Sequence, residues 1–234
     1  MSRLSGMDFL SKDQLSDLSH NVAHDLKSPL RKIRQFSELL ALDYSDVLTG
    51  EGELYLEALT ESSDELGGLI DSLLQYVRCL TDTRKFETVD LNAVLAEVAR
   101  DIQLNSRPEV TIVHRDLPVV KANPDLILAL FSNLLSNAVR FVGADVQPSI
   151  EIYSTEDRGS PIVYIEDNGI GISGTGAHKI FDPLVRLHSK NEFQGFGMGL
   201  AICKAICDFH GWRIGYFDNK IGGTTFEIKL SQAV

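Results

Sequence analysis

The stretch NLLSNAVRF, residues 133–141, sets Asn133 and Asn137 four apart within an otherwise apolar run. That spacing places both amides on one face of a helix. Two amides on such a helix need partners. They either cap neighbouring loops or offer the oxygen ligands that a hydrated magnesium ion takes. The choice turns on what the rest of the chain brings to this helix, and two glycine clusters follow it. DNGIGI (167–172) closes a run of mostly β-branched residues, IVYIED (162–167). There Gly169 and Gly171 let the backbone turn sharply and come close to a ligand. Asp167 stands at the end of that strand, where a carboxylate can accept a hydrogen bond from an amine. The second cluster, GFGMGL (195–200), runs straight into an apolar helical segment. Glycines ahead of a helix N-terminus leave amide N–H groups that suit phosphates. The preceding HSKNEFQ (188–194) is polar loop rather than strand, and no Gly-Lys-Ser/Thr follows, so neither a dinucleotide fingerprint nor a Walker loop is present.

Around this centre the 234 residues suffice for one large domain or two small ones. The 22 lysines and arginines stand against 33 acids, for a net charge of −11. That balance excludes a protein that wraps nucleic acid, which needs basic surface. No apolar run approaches the ~20 residues of a membrane helix. The first residues hold no signal-peptide core, so a cytoplasmic protein or a soluble part of a larger one is expected. Cys79, Cys203 and Cys207 fit no metal or disulfide framework. Cys203 and Cys207 are four apart on a predicted helix, where packed reduced thiols are the expectation.

The N-terminal third has a different texture. Leu15, Leu18, Val22, Leu26, Leu30, Ile33, Phe36, Leu39 and Leu40 recur at steps of three and four, as do Leu56, Leu59, Leu66, Leu69, Ile70, Leu73, Leu74, Val77 and Leu80. These spacings predict two amphipathic helices, broken by the turn-rich DYSDVLTGEG (43–52). The pair makes an antiparallel hairpin with one unpartnered apolar face. That face is buried either by dimerisation into a four-helix bundle or against the rest of the chain. A polar linker, TDTRK (81–85), separates the hairpin from a mixed region. There residues 89–104, 123–141 and 199–209 read as helices. VTIVHR, PVVKA, IEIYS, IVYIED, WRIGYF and TTFEIKL read as strands. Without strict alternation this is an α+β sandwich, with helices on one face of a sheet. The domains expected are 1–82, a helical hairpin, and 86–234, the sandwich.

In that order Asn133-x-x-x-Asn137, DNGIGI, IFDPLVRLHS (180–189), GFGMGL and GGTTF (222–226) resemble the N, G1, F, G2 and G3 boxes of two-component sensor histidine kinases. The ATP-binding domain of that family is of the GHKL (Bergerat) type, behind a HisKA-type hairpin. The likeness spans residues 10–230. It implies ATP and Mg2+ as cofactors, with Asn133 and Asn137 holding magnesium and phosphates. It implies Arg140 for phosphate, Phe141 for adenine and Asp167 for the adenine amine. Gly169 and Gly171 would shape the pocket, and Gly195, Gly197 and Gly199 would cradle the triphosphate. Arg186 would meet the γ-phosphate and Thr225 would lie near the adenine. Residues 173–194 would be a lid. An amide at 133, where related hydrolytic ATPases use a glutamate base, suits transfer rather than hydrolysis.

The resemblance also accounts for HDLKSPLR (24–31). His24, Asp25, Lys27 and Pro29 match the family's H-box. Asp25 can hydrogen-bond one imidazole nitrogen and leave the other nucleophilic. Pro29 removes a helix hydrogen bond to Asp25 and predicts a kink beside the histidine. His20, one turn earlier, lacks both companions. Ser28 stands where relatives often hold a residue that positions water for dephosphorylation of the partner. The basic residues Lys27, Arg31, Lys32 and Arg34 suit either an acidic receiver domain or plain solvation. Expected partners are a response regulator receiver domain, a second copy through the hairpin, and an upstream sensor domain or protein. HDLKSPLR and VRLHS look most like the phytochrome-associated subgroup. Trp212 and Leu184 depart from the family pattern, the first expected to pack outside the ATP site. The alternatives are a non-catalytic phosphotransfer or scaffold protein, or a GHKL-type ATPase or serine kinase.

Overall fold

The computed structural model describes residues 11–106, 109–174, 176–189, 192–193 and 195–231. The first ten residues of the expected helical domain lie outside the described residues. So do the last three of the sandwich, and Thr175, Lys190, Asn191 and Gln194 of the expected lid. The chain divides into two units, one ending at Thr81 and the other beginning at Asp82.

The first unit is the hairpin of α1 (Lys12–Asp43) and α2 (Glu51–Thr81). Ser11 starts α1 with a capping box: its hydroxyl accepts from the Gln14 N–H, and the Gln14 side chain accepts from the Ser11 N–H. The helix continues unbroken through Pro29. The inner seam of the hairpin has a seven-residue period. Ala23 and Ser37 on α1, and Leu56, Ser63 and Ile70 on α2, are buried. Displaced from these by three, Leu26, Ile33 and Leu40, and Leu59, Leu66 and Leu73, form outer stripes that are 42% or more exposed. Such a pattern is the a/d repeat of a helical bundle, with one of its two stripes still facing water. Lys27 and Arg34, two of the four basic residues after His24, are tied across the hairpin to Asp71 and Asp64.

The second unit holds a sheet of strands β2 (Thr111–His114), β4 (Ser149–Asp157), β5 (Ser160–Asp167), β7 (Thr224–Lys229) and β6 (Arg213–Asp218), in that order. β2 runs parallel to β4 and the other pairs are antiparallel. Strand alternation sends Ile150, Ile152, Val163, Ile165, Phe226 and Ile228 to one face, all buried. The helices α3 (Leu91–Asn105), α4 (Pro124–Arg140) and α5 (Gly199–Phe209) carry the complementary apolar residues, among them Leu95, Leu134 and Ile202. The expected sandwich is therefore present, with two differences. Residue 89 is not helical: Glu87–Asp90 forms a short strand, β1, and Asp90 caps α3 by accepting from the Asn92 N–H. And β3 (Val119–Ala122) pairs with β1 in a separate two-stranded ribbon rather than joining the main sheet. Cys79, Cys203 and Cys207 are buried thiols with no disulfide between them. Burial pushes the Cys207 pKa up to about 12, so it stays protonated.

Candidate functional site

In the second unit the predicted nucleotide residues converge where α4 ends, β5 ends and α5 begins. Asp167 is buried at the end of β5, and its Oδ1 accepts from the N–H groups of Gly169 (2.9 Å) and Thr224 (3.0 Å). Burial raises its pKa, against the pull of those two hydrogen bonds. The glycines here are steric requirements. A Cβ on Gly169 would stand 2.4 Å from the Phe141 carbonyl oxygen, and one on Gly223 would stand 2.1 Å from the Asp167 carbonyl oxygen. Ile170 N–H also donates to Phe141 O, so the DNGIGI turn is fastened to the end of α4.

On α4 the Asn133 side-chain N–H donates to Ala129 O (2.8 Å), which leaves its Oδ1 to accept elsewhere. That oxygen faces the start of α5: a Cβ on Gly199 would lie 3.0 Å from Asn133 Oδ1 and 3.6 Å from Asn137 Nδ2. The helix α5 has no side-chain cap at Met198 and no acid in its first turn. Its first N–H groups therefore suit an anion. Arg140 closes the far side, with its Nη1 3.0 Å from where a Gly195 Cβ would be. Its pKa is lowered by burial and then by the like charge of Arg186. No carboxylate pairs with either guanidinium among the described residues. Two neighbouring cations beside an uncapped helix start fit a polyanionic ligand. The side-chain oxygens of the two amides are of the kind that a hydrated magnesium ion takes as ligands.

The glycine cluster and the lid segment also meet. Gly197, at φ +69°, accepts from Leu184 N–H with its carbonyl oxygen, and a Cβ there would stand 2.5 Å from Val185 O. Leu184, the residue that departs from the family's usual phenylalanine, is itself left-handed at φ +65°. Arg186 donates to Phe193 O (2.7 Å), and the Phe193 ring lies 5.1 Å from that of Phe141.

The β-register moves one position. Thr225 pairs with Glu166, so its side chain leaves the sheet on the face opposite Asp167's. Thr224, one residue earlier, is the neighbour of Asp167. Thr225 is nonetheless buried, with a hydroxyl that has no hydrogen-bond partner among the described residues.

In the hairpin, His24 and Asp25 are exposed side by side, with Asp25 Oδ1 3.2 Å from His24 Nδ1. In the tautomer protonated at Nδ1 the carboxylate accepts that N–H, and Nε2 presents its lone pair to solvent. His20 is exposed as well but has no such partner among the described contacts. Ser28 is half-buried on the same turn.

Comparison with known proteins agrees with both halves. Residues 14–79 match the His Kinase A (phospho-acceptor) domain, and residues 122–234 match the histidine kinase-, DNA gyrase B- and HSP90-like ATPase domain. The chain belongs to the sensor histidine kinases. It is 31% identical to cyanobacterial phytochrome A of Nostoc sp. over 92% of its own length and 28% of that protein's. Cyanobacterial phytochrome B of the same organism is 33% identical over 94% of this chain and 30% of its own. The chain thus spans under a third of these relatives. Among solved structures, the full-length ShkA complex with AMPPNP superposes with a TM-score of 0.65 over 95% of this chain and 47% of that one, at 24% identity. The catalytic domain of histidine kinase ThkA gives 0.55 over 64% and 97%, at 25% identity. The fold of this kinase-family chain is shared with ShkA over nearly its whole length and with the ThkA catalytic domain over about two thirds of it.

Proposed function

We propose that the chain is the catalytic core of an autophosphorylating protein-histidine kinase, acting as a homodimer. ATP binds the second unit, and His24 Nε2 attacks its γ-phosphorus in line. The P–N bond forms as the bond to the ADP oxygen breaks, and ADP leaves. The phosphoryl group then passes to an aspartate carboxylate on a response regulator receiver domain, restoring His24. The observation that carries this reading is the pairing of an exposed His24 imidazole with Asp25, in a chain whose other unit belongs to the histidine kinase ATPase family.

In this reading Asp25 fixes the imidazole tautomer and offsets the positive charge that develops on attack. Asp167 accepts from the adenine amine with the oxygen left over from its two backbone bonds. Gly169 and Gly171 shape the wall beside the base, and Phe141 packs against it. Arg140, Arg186 and the amides of the Gly195–Gly197–Gly199 turn hold the phosphates. Asn133 and Asn137 hold Mg2+, which when bound neutralises charge on the transferring phosphates. The rest is positioning, the main contribution in phosphoryl transfer. Thr225 serves the adenine through the sheet rather than by direct contact, with Thr224 nearer to Asp167. Ser28 orients water for dephosphorylation of the regulator. The outer apolar stripes of α1 and α2 form the dimer seam. ATP as substrate and unbridged thiols suit the cytoplasm. An upstream sensor, as in the phytochrome relatives, supplies the signal.

The decisive experiment is incubation with γ-labelled ATP and magnesium beside a His24→Gln variant. Acid-labile, alkali-stable label that disappears in the variant supports the reading. Acid-stable label, or label unchanged by the substitution, overturns it.

A further inference from the structure

Residues 82–86 have the composition of a tether, being short, polar and charged, yet the side chains of Asp82, Arg84 and Phe86 are held in place. Asp82 accepts from the Arg84 backbone N–H (2.7 Å) and from Arg84 Nε (2.9 Å), and Arg84 reaches on to Asp125 in the first turn of α4. Burial pushes the Asp82 pKa up, but Arg84 and Asn123 outweigh it and hold it low. Phe86 lays its ring on His210 at 4.9 Å and 18°, and Trp212 stacks on the other side at 4.7 Å. Phe209 meets Phe86 edge-on.

The node that joins these contacts is Asn123, which uses its side-chain oxygen, side-chain nitrogen and backbone N–H. Its Oδ1 caps α4 by accepting from the N–H groups of Asp125 and Leu126. Its Nδ2 donates to Asp82 Oδ2 (3.2 Å). Its backbone N–H donates to His210 Nε2 (3.0 Å), while His210 Nδ1 donates to Ile206 O (2.8 Å) at the end of α5. Linker, start of α4 and end of α5 are thus joined in one hydrogen-bonded cluster around the buried Asn123 and His210. The same two helices carry Asn133, Asn137 and Gly199 at their other ends. At 1.5 Å per residue, Asn137 lies about 20 Å along α4 from Asn123.

We propose that Asp82, Arg84 and Phe86 form a latch that makes the linker part of the ATP-binding unit, with Asn123 and His210 as its positioning residues. The free tether between the hairpin and that unit then shrinks to the junction of Thr81 and Asp82. A short tether keeps the local concentration of bound nucleotide near the phosphate acceptor high, and lengthening it lowers that concentration. The latch rests on the proposed kinase reading for its effect on phosphorylation, but not for its existence.

Trypsin tests its existence directly, because it cleaves after Arg84 and Lys85 only where the backbone is loose. On the full-length protein the latch predicts resistance at both bonds. Phe86→Ala and, separately, Asp82→Ala are expected to speed cleavage there at least about tenfold, since cleavage follows the opened population. Affinity for the non-hydrolysable analogue AMPPNP is expected to stay within about twofold, the two sites being far apart. The rate of His24 labelling at saturating ATP is expected to fall about threefold or more. Equal cleavage of wild type and both variants overturns the latch. So does a loss of AMPPNP affinity in step with labelling, which would make the cluster only a support of the nucleotide fold. If wild type takes no label at all, the kinase reading fails while the cleavage pattern still decides the latch.

Discussion

Asp167 is asked to do two things that conflict. A buried carboxylate with a raised pKa favours its protonated form in the folded state. That preference stabilises the fold below the ordinary value of 3.8 and is lost as pH rises through the raised value. At neutral pH the charge is therefore a cost to the fold, kept for the ligand. Asp167→Asn should leave the melting midpoint at pH 7 unchanged or higher, while weakening nucleotide binding about 10- to 100-fold by calorimetry. Asp167→Ala should weaken binding and also lower the midpoint, because the Gly169 and Thr224 N–H groups lose their acceptor. Gly169→Ala forces a methyl group onto the Phe141 carbonyl. It should cost about 1–3 kcal/mol or more, lowering the midpoint by about 2–4 °C per kcal/mol. The glycines and Asp167 were legible in the sequence because turn chemistry is local. The face of the sheet that Thr225 takes was not. Which of two adjacent residues faces Asp167 depends on the pairing of β7 with β5, and a slip of one flips the face.

At the scale of elements, the long helices announce themselves by period, and short strands do not. Glu87–Asp90 holds one apolar residue in four, so nothing local separates it from the helix it precedes; its partner β3 supplies the reason it is a strand. The end of α5 was equally opaque. Nothing in the sequence around His210 marks it, and only the fold brings Phe86, Trp212 and Asn123 around it. Burial lowers its pKa below the usual 6.5. The unfolded chain then binds a proton at a pH where the folded chain does not. Stability of the second unit should fall as pH drops from 6.5 toward the depressed value, and His210→Asn should flatten that slope in thermal melts. In α1, Pro29 lies inside a continuous helix and is exposed. Pro29→Ala restores the hydrogen bond to Asp25 O and should raise hairpin stability by up to about 3 kcal/mol, read by chemical denaturation.

For the molecule as a whole, the two units bury their apolar residues differently. The sheet unit encloses Leu95, Ile127, Leu134, Ile165 and Ile202 completely. The hairpin encloses Ala23, Ser37, Leu56, Ser63, Ile70 and Cys79, a seam in which small side chains alternate with larger ones, and leaves many of its leucines exposed. Phe36→Glu or Leu66→Glu should convert a dimer to a monomer in sedimentation and abolish labelling of His24, with AMPPNP binding unchanged. The thinness of that inner seam has a thermodynamic corollary. A lone hairpin holds only this thin seam, so in the proposed dimer its folding would be governed by mass action between copies. Its unfolding midpoint should climb as the sample is made more concentrated, while that of the sheet unit stays fixed. Dilution would then melt the unit that carries His24 while the unit that carries Asp167 stays folded.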